Sequence, residues 1–158
     1  MADLLTAIES STLATWTRES PSIWAFATIL TLHTVGLAIV VGANAVVDFR
    51  LLGFAPGIPI ASLRRLFPLM WWAFALNFLT GVLLFMADAT TKAGQGVFVA
   101  KLALIGLALL VARLVWKGLG EHERGAGGPV ATTLRRLALV SLALWTGAIV
   151  AGRLLAYW

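Results

Sequence analysis

The sequence predicts an all-α integral membrane protein, a four-helix bundle preceded by an N-terminal amphipathic helix at the membrane interface. Of its 158 residues, 60% are hydrophobic and 12% are charged, whereas a soluble domain carries about 25% charged residues. Four apolar runs are long enough to cross about 30 Å of hydrocarbon at about 1.5 Å per residue. Because so few charges cannot cover a water-facing surface, the chain is expected to lie mainly within the bilayer.

The first element is an amphipathic helix, predicted over about residues 3–17. Its apolar side chains recur at helical spacing, which is typical of a helix that lies in the membrane surface and has lipid as its partner. These side chains are Leu4, Leu5, Ile8, Leu13 and Trp16. The segment does not resemble a cleavable signal peptide, because it lacks a basic start and carries the acidic residues Asp3 and Glu9.

Four membrane spans follow, and together they predict a single transmembrane domain over residues 1–158. The first span begins behind Ser20, with Pro21 at the first helical position. A proline-glycine turn ends it, a short polar segment separates the middle pair, and a glycine-rich loop at 118–129 precedes the last. The spans are predicted at about residues 21–49, 66–86, 97–116 and 134–158.

The basic residues predict the orientation of these spans. The loops after the first and third spans carry Arg50, Arg64, Arg65, Lys117, Arg124, Arg135 and Arg136. The opposite side has mainly Arg18 and Lys92. The positive-inside rule therefore places both termini on the outer side of a bacterial inner membrane. The same rule accounts for the net charge of +5, so no nucleic-acid partner is expected.

A histidine at position 33 stands within the first span, about thirteen residues from its start and near the middle of the bilayer. One interpretation is a hydrogen bond to a neighbouring helix; the other is axial ligation of haem iron, a common use of histidine in bundles. The second histidine, His122, belongs to the opposite end of the bundle. A second axial ligand must therefore be another residue type, or His33 of another subunit in a homo-oligomer.

A lysine at position 101 is the candidate for that second ligand. It lies about one turn inside the third span, and helical rise places it within about 6 Å of the depth of His33. A neutral lysine amine can ligate iron; the alternative is that Lys101 extends outward to the headgroups. Arg153 lies at a similar depth in the last span, and its guanidinium either reaches the headgroups or binds a haem propionate.

Other polar residues of the spans have structural interpretations. Asp48, Arg50 and Arg113 are expected to be interface anchors or members of an ion pair. Asn44 and Asn77 are expected to form hydrogen bonds between helices. The chain has no cysteine, which excludes disulfides, thiolate metal sites and covalently attached c-type haem.

The residues around His33 and Lys101 also carry a family resemblance. The stretches ILTLHTVGLAIVVG and FVAKLALIGLALL resemble the haem-containing, four-helix bacterial protoporphyrinogen oxidases of the HemJ type, and also the copper-resistance D (CopD) domain. In the oxidases a histidine and a lysine at these places belong to the haem site, so the resemblance implies that role for His33 and Lys101. It covers the first three spans. The first span ends in VVDFRLLG, unlike the aromatic, proline- and arginine-containing segment of the oxidases, so porphyrinogen oxidation does not follow from it.

The whole chain is similar to a family of small bacterial four-helix membrane proteins whose membership implies no chemistry. The matching stretches are LHTVGLAIVVG, VVDFRLLG, LTGVLLFMADA, FVAKLAL and WTGAIVAGRLLAYW.

Three hypotheses follow from these observations. The first is a haem b-binding inner-membrane protein of electron transfer, acting as membrane subunit or partner of an outer-facing redox protein. The second is a membrane enzyme of the porphyrinogen-oxidising type. The third is a haem-free protein that handles copper or a solute, or that serves as a structural subunit. Three methionines and no cysteine offer few soft ligands, which weakens the copper version.

Overall fold

Helices and short connections make up the whole described chain. The computed structural model describes residues 2–125, 129–155 and 157, and within them there are eight helices and no strand. In chain order they are α1 (Ala2–Glu9), α2 (Thr12–Glu19), α3 (Ile23–Leu52), α4 (Ile60–Leu63), α5 (Leu66–Met86), α6 (Ala89–Ala93), α7 (Gly96–Arg124) and α8 (Thr132–Leu154). Positions 156 and 158, within the last predicted span, lie outside the described residues.

Four of these helices, α3, α5, α7 and α8, are long and apolar enough to cross a membrane. The prediction of an all-α, multi-pass membrane bundle is therefore confirmed. Helix α3 ends at Leu52 and is capped by Gly53, whose φ of +105° is a conformation that residues with a Cβ rarely adopt. The chain then turns through the predicted proline-glycine segment.

The largest differences from the predicted boundaries are in the third span and in the N-terminal helix. The third span was expected to end near residue 116, but α7 continues to Arg124. Its last turns are polar, and basic residues there favour the negative end of the helix dipole. The N-terminal helix is divided at Ser10 and Ser11, because the Ser11 side chain accepts a hydrogen bond from the N–H of Ala14 and starts a new helix.

Packing sets the order of the long helices. Helix α3 packs on both α5 and α8, and α7 packs on α8, which places them in the order α5, α3, α8, α7. Helices α3 and α7 begin at the end of the bundle that carries α6, called here the α6 end, and they finish at the end that carries α4, the α4 end. Helices α1 and α2 fold back over the α6 end, where α1 contacts α6 and α2 contacts α5.

The two halves of the bundle are packed differently. The α4 half holds the main apolar core, which all four long helices build. Its buried members are Val47, Leu51, Leu63, Phe67, Met70, Val111, Val115, Leu119, Leu134 and Ala138. A smaller cluster of Val40, Ala73, Ala108 and Trp145 follows toward the middle. Toward the α6 end the helices leave open space, and the candidate site lies there.

Candidate functional site

A cavity of about 540 Å³ lies at the α6 end, between the long helices and the returning α1–α2 segment. Its size is within the range of ligand-binding pockets, about 300–1,000 Å³. Charged and titratable side chains line it together with apolar ones: Glu9, Arg18, His33, Asp88, Lys92 and Lys101. We call this space the α6-end cavity. It brings the predicted His33 and Lys101 to one place.

The orientation of the His33 ring follows from its hydrogen bonds. The Nδ1 atom lies 2.9 Å from the backbone oxygen of Asn77 and 3.1 Å from the hydroxyl of Thr80, both on α5. A carbonyl oxygen only accepts, so Nδ1 carries the proton. The Thr80 hydroxyl donates to the oxygen of Leu76 at 2.7 Å and is free to accept from Nδ1. Among the described residues every hydrogen-bond contact of the ring is made at Nδ1, which leaves the lone pair of Nε2 unused.

Asn77 also holds the backbone of α3. Its amide nitrogen donates to the oxygen of His33 at 2.7 Å, which is the interhelical hydrogen bond expected of this residue. The same nitrogen lies 3.3 Å from Nδ1 of His33. With Nδ1 protonated that contact joins two donors, so the bond to the backbone oxygen is the one that forms.

Two glycines make room for this arrangement. A Cβ at Gly81 of α5 would lie 3.1 Å from Cε1 of His33, so the ring packs directly against the α5 backbone at this glycine. A Cβ at Gly36 of α3 would lie 3.1 Å from the oxygen of Ala73 and from the nitrogen and Cβ of Asn77. The glycines therefore allow α3 and α5 to approach closely at the level of the histidine.

Lys101 reaches the cavity from α7. Its side chain is half-buried, and its Nζ would lie 3.6 Å from a Cβ at Gly152 of α8. None of the ion pairs within the described residues includes it; those pairs are made by Arg18, Arg64 and Lys92. In the described part of the chain the amine of Lys101 thus has no carboxylate partner.

Arg153, the third predicted site residue, is placed elsewhere. It is exposed, donates to the Tyr157 hydroxyl at 3.2 Å and stacks over that ring. Its neighbours Gly152 and Leu155 line the cavity, whereas Arg153 does not. The structure does not bring it to His33 and Lys101.

Arg18 and Glu9 line the cavity although sequence reasoning did not single them out. Glu9 accepts from the backbone N–H of Thr90 at 2.8 Å and from its hydroxyl at 2.6 Å. These hydrogen bonds lower the pKa of Glu9. Arg18 donates to the oxygen of Ala87 at 3.2 Å and pairs with Glu9 and Glu19; the hydrogen bond to Glu19 raises its pKa. These contacts clamp the α1–α2 segment over the cavity, and no local sequence pattern signals them.

A second, apolar space adjoins the cavity on the membrane side. It is a groove of about 450 Å³ between α5 and α7, lined by Phe74, Phe78, Val82, Leu102, Ile105 and Leu109 and by His33 and Lys101 at its edge. We call it the α5–α7 slot. The stacked rings of Phe85 and Phe98, with centroids 5.1 Å apart, line both spaces.

Asp48 corrects an expectation. It was expected to be an interface anchor or to share an ion pair, but it is 2% exposed and belongs to no ion pair within the described part of the chain. Ser141 of α8 is the polar side chain beside it. Within the described residues, Asp48 Oδ2 and Trp145 Nε1 have no hydrogen-bond partner. This buried polar group lies in the α4 half, away from the cavity.

The described residues contain no group of three or more histidine, cysteine, aspartate or glutamate side chains that would hold a metal ion. Comparison of the chain with protein-family models, with curated proteins and with solved structures found no match. What the chain can bind is therefore inferred from the geometry of the α6-end cavity.

Proposed function

We propose that the chain is a haem b-binding membrane protein of electron transfer, and that His33 is the axial ligand of the haem iron. The observation that supports this is the hydrogen bonding of the His33 ring. Its Nδ1–H is held by the Asn77 oxygen while Nε2 keeps its lone pair beside a cavity of ligand size. Metal-binding histidines have this arrangement, in which the second nitrogen donates to a backbone carbonyl and fixes the tautomer and the ring.

The other residues of the cavity suit the same ligand. Haem supplies one-electron redox chemistry when an axial side chain holds its iron. The walls provide aromatic and aliphatic surface from Phe26, Leu30 and Leu84. The cationic residues Arg18, Lys92 and Lys101 provide positive charge for propionates at the α6 end. Lys101 either binds the iron as its second ligand or compensates the negative charge of the propionates. Arg18 lines the cavity and takes the propionate-binding role that the sequence suggested for Arg153.

The orientation belongs to the same proposal. The basic loops lie at the α4 end, so the positive-inside rule puts that end in the cytoplasm and the α6 end on the outer side of a bacterial inner membrane. The cavity then faces the outer compartment. A redox protein on that side is the proposed electron-transfer partner.

The test compares the two histidines. We expect the purified protein to show a Soret band with reducible α and β bands, and His33→Ala to lose them at unchanged helical content and yield. His122→Ala is the matched control, because His122 lies in the last turn of α7 at the far end and should leave the spectrum unchanged. A His33→Ala variant with the parent spectrum, or a parent protein that takes up no haem, refutes the proposal.

A further inference from the structure

The α5–α7 slot has defined ends as well as walls. At the α6 end it is bounded by the stacked rings of Phe85 and Phe98. At the other end α5 and α7 meet in the main core, where Phe67 of α5 and Val111 of α7 belong to one buried cluster. The slot thus runs along α7 from Phe98 to Leu109, which is about 16 Å at the helical rise of about 1.5 Å per residue.

That length matches one leaflet of a membrane. The hydrocarbon core of a bilayer is about 30 Å thick, so one layer of acyl chains occupies about 15 Å. The slot is parallel to α7, opens to the lipid side, and is lined by aromatic and branched aliphatic side chains such as Phe78, Val82 and Ile105. Gly106 lines it without a side chain, and a Cβ there would meet nothing within 4 Å. A single acyl chain fits this shape.

Where the slot adjoins the α6-end cavity, one basic side chain has no acidic partner among the described residues. The α6-end cavity contains three cations, Arg18, Lys92 and Lys101, and two carboxylates, Glu9 and Asp88. Arg18 pairs with Glu9 and Lys92 pairs with Asp88 at 3.3 Å. Lys101, which lines both the cavity and the slot, has no carboxylate partner among the residues that the structure describes. A half-buried ammonium at the edge of the hydrocarbon is stabilised by an anion in the headgroup layer.

We propose that the α5–α7 slot binds one acyl chain of an anionic phospholipid whose phosphate contacts the ammonium of Lys101. The second chain of the lipid stays in the bilayer. This site does not require haem in the α6-end cavity. It shares Lys101 with the proposed haem site, and it requires that Lys101 act as a cation rather than as the second iron ligand.

Lipid that merely surrounds the protein is also attracted to the basic loops of the α4 end, so the test compares Lys101 with a lysine of that end. The protein is exchanged into vesicles of equal parts phosphatidylglycerol and phosphatidylcholine with identical chains, re-extracted in mild detergent, and analysed by native mass spectrometry. We expect one retained phosphatidylglycerol per chain. Lys101→Met should lower the phosphatidylglycerol preference about tenfold, the size of one hydrogen bond to a charged group, and Lys101→Arg should keep it.

Two matched controls separate the effect of the Lys101 charge from the effect of filling the slot. Lys117→Met removes an exposed lysine at the α4 end and should leave the preference unchanged. Gly106→Leu fills the slot and should lower retention of either lipid, whereas Gly42→Leu adds the same side chain on α3, where a Cβ also meets open space, and should not. The proposal is overturned if no lipid is retained, if both lipids are retained equally, if Lys101→Met equals Lys117→Met, or if Gly106→Leu retains lipid as Gly42→Leu does.

Discussion

The close approach of α3 to α5 at Gly36 makes a sharp prediction about stability and about the His33 site. In Gly36→Ala the new methyl group would lie 3.1 Å from three atoms, of which the oxygen of Ala73 and the nitrogen of Asn77 belong to the backbone. Carbon contacts are optimal at about 3.5–4.0 Å. Backbone atoms cannot rotate away, so α3 and α5 must separate by a few tenths of an ångström.

The magnitude follows from two opposing terms. Overpacking of a tight site costs about 1–3 kcal/mol, while alanine in place of a helical glycine gains at most about 1 kcal/mol. We expect Gly36→Ala to destabilise the bundle by about 1–2 kcal/mol. Gly42→Ala on the same helix meets nothing within 4 Å and should be neutral or slightly stabilising. The two variants should differ by about 2 kcal/mol, or about 4–8 °C in Tm for a chain of this size.

Thermal unfolding in detergent, followed by circular dichroism, measures this difference. The haem spectrum is a second measurement, because Asn77, which the methyl group displaces, holds both the ring and the backbone of His33. We expect Gly36→Ala to weaken haem retention and Gly42→Ala to leave it unchanged. Equal Tm values for the two variants would show that the helices do not meet closely at Gly36, and the reasoning would be wrong.

Two further predictions concern the α6 end. The hydrogen bonds of Thr90 lower the pKa of Glu9, so the clamp on α1–α2 is complete above the ordinary glutamate pKa of about 4.3 and is lost as the pH falls through the lowered value. The protection factors of residues 2–19, which correct for the pH dependence of chemical exchange, should therefore fall at low pH in the parent protein and in an Asp3→Ala control alike. Glu9→Ala should show the low protection already at pH 7; equal protection of Glu9→Ala and Asp3→Ala at pH 7 contradicts the clamp. For orientation, an alkaline phosphatase fused to the C-terminus should be active, since that enzyme works only outside the cytoplasm, and activity of a cytoplasmic reporter at the same place would reverse the assignment.

The number, length and approximate limits of the spans were determined by the sequence alone. Each residue adds its own transfer free energy to the membrane, so an apolar run predicts a spanning helix without knowledge of its neighbours. Helical rise also gave the depth of His33 and Lys101, because depth depends only on the count of residues from the helix start. Both side chains do line one cavity.

The direction in which a side chain points was decided by the tertiary structure. Arg153 has the depth of the cavity, yet the cavity is lined by Gly152 and Leu155, since one residue turns a helix by about 100° and only packing decides which face is inside. Arg18 and Glu9 reach the site because α1 and α2 fold back onto Ala87 and Thr90, contacts between segments far apart in the chain. The slot exists because α5 and α7 pack on α3 and α8, and the order of helices in a bundle depends on the fit of whole surfaces rather than on any one segment.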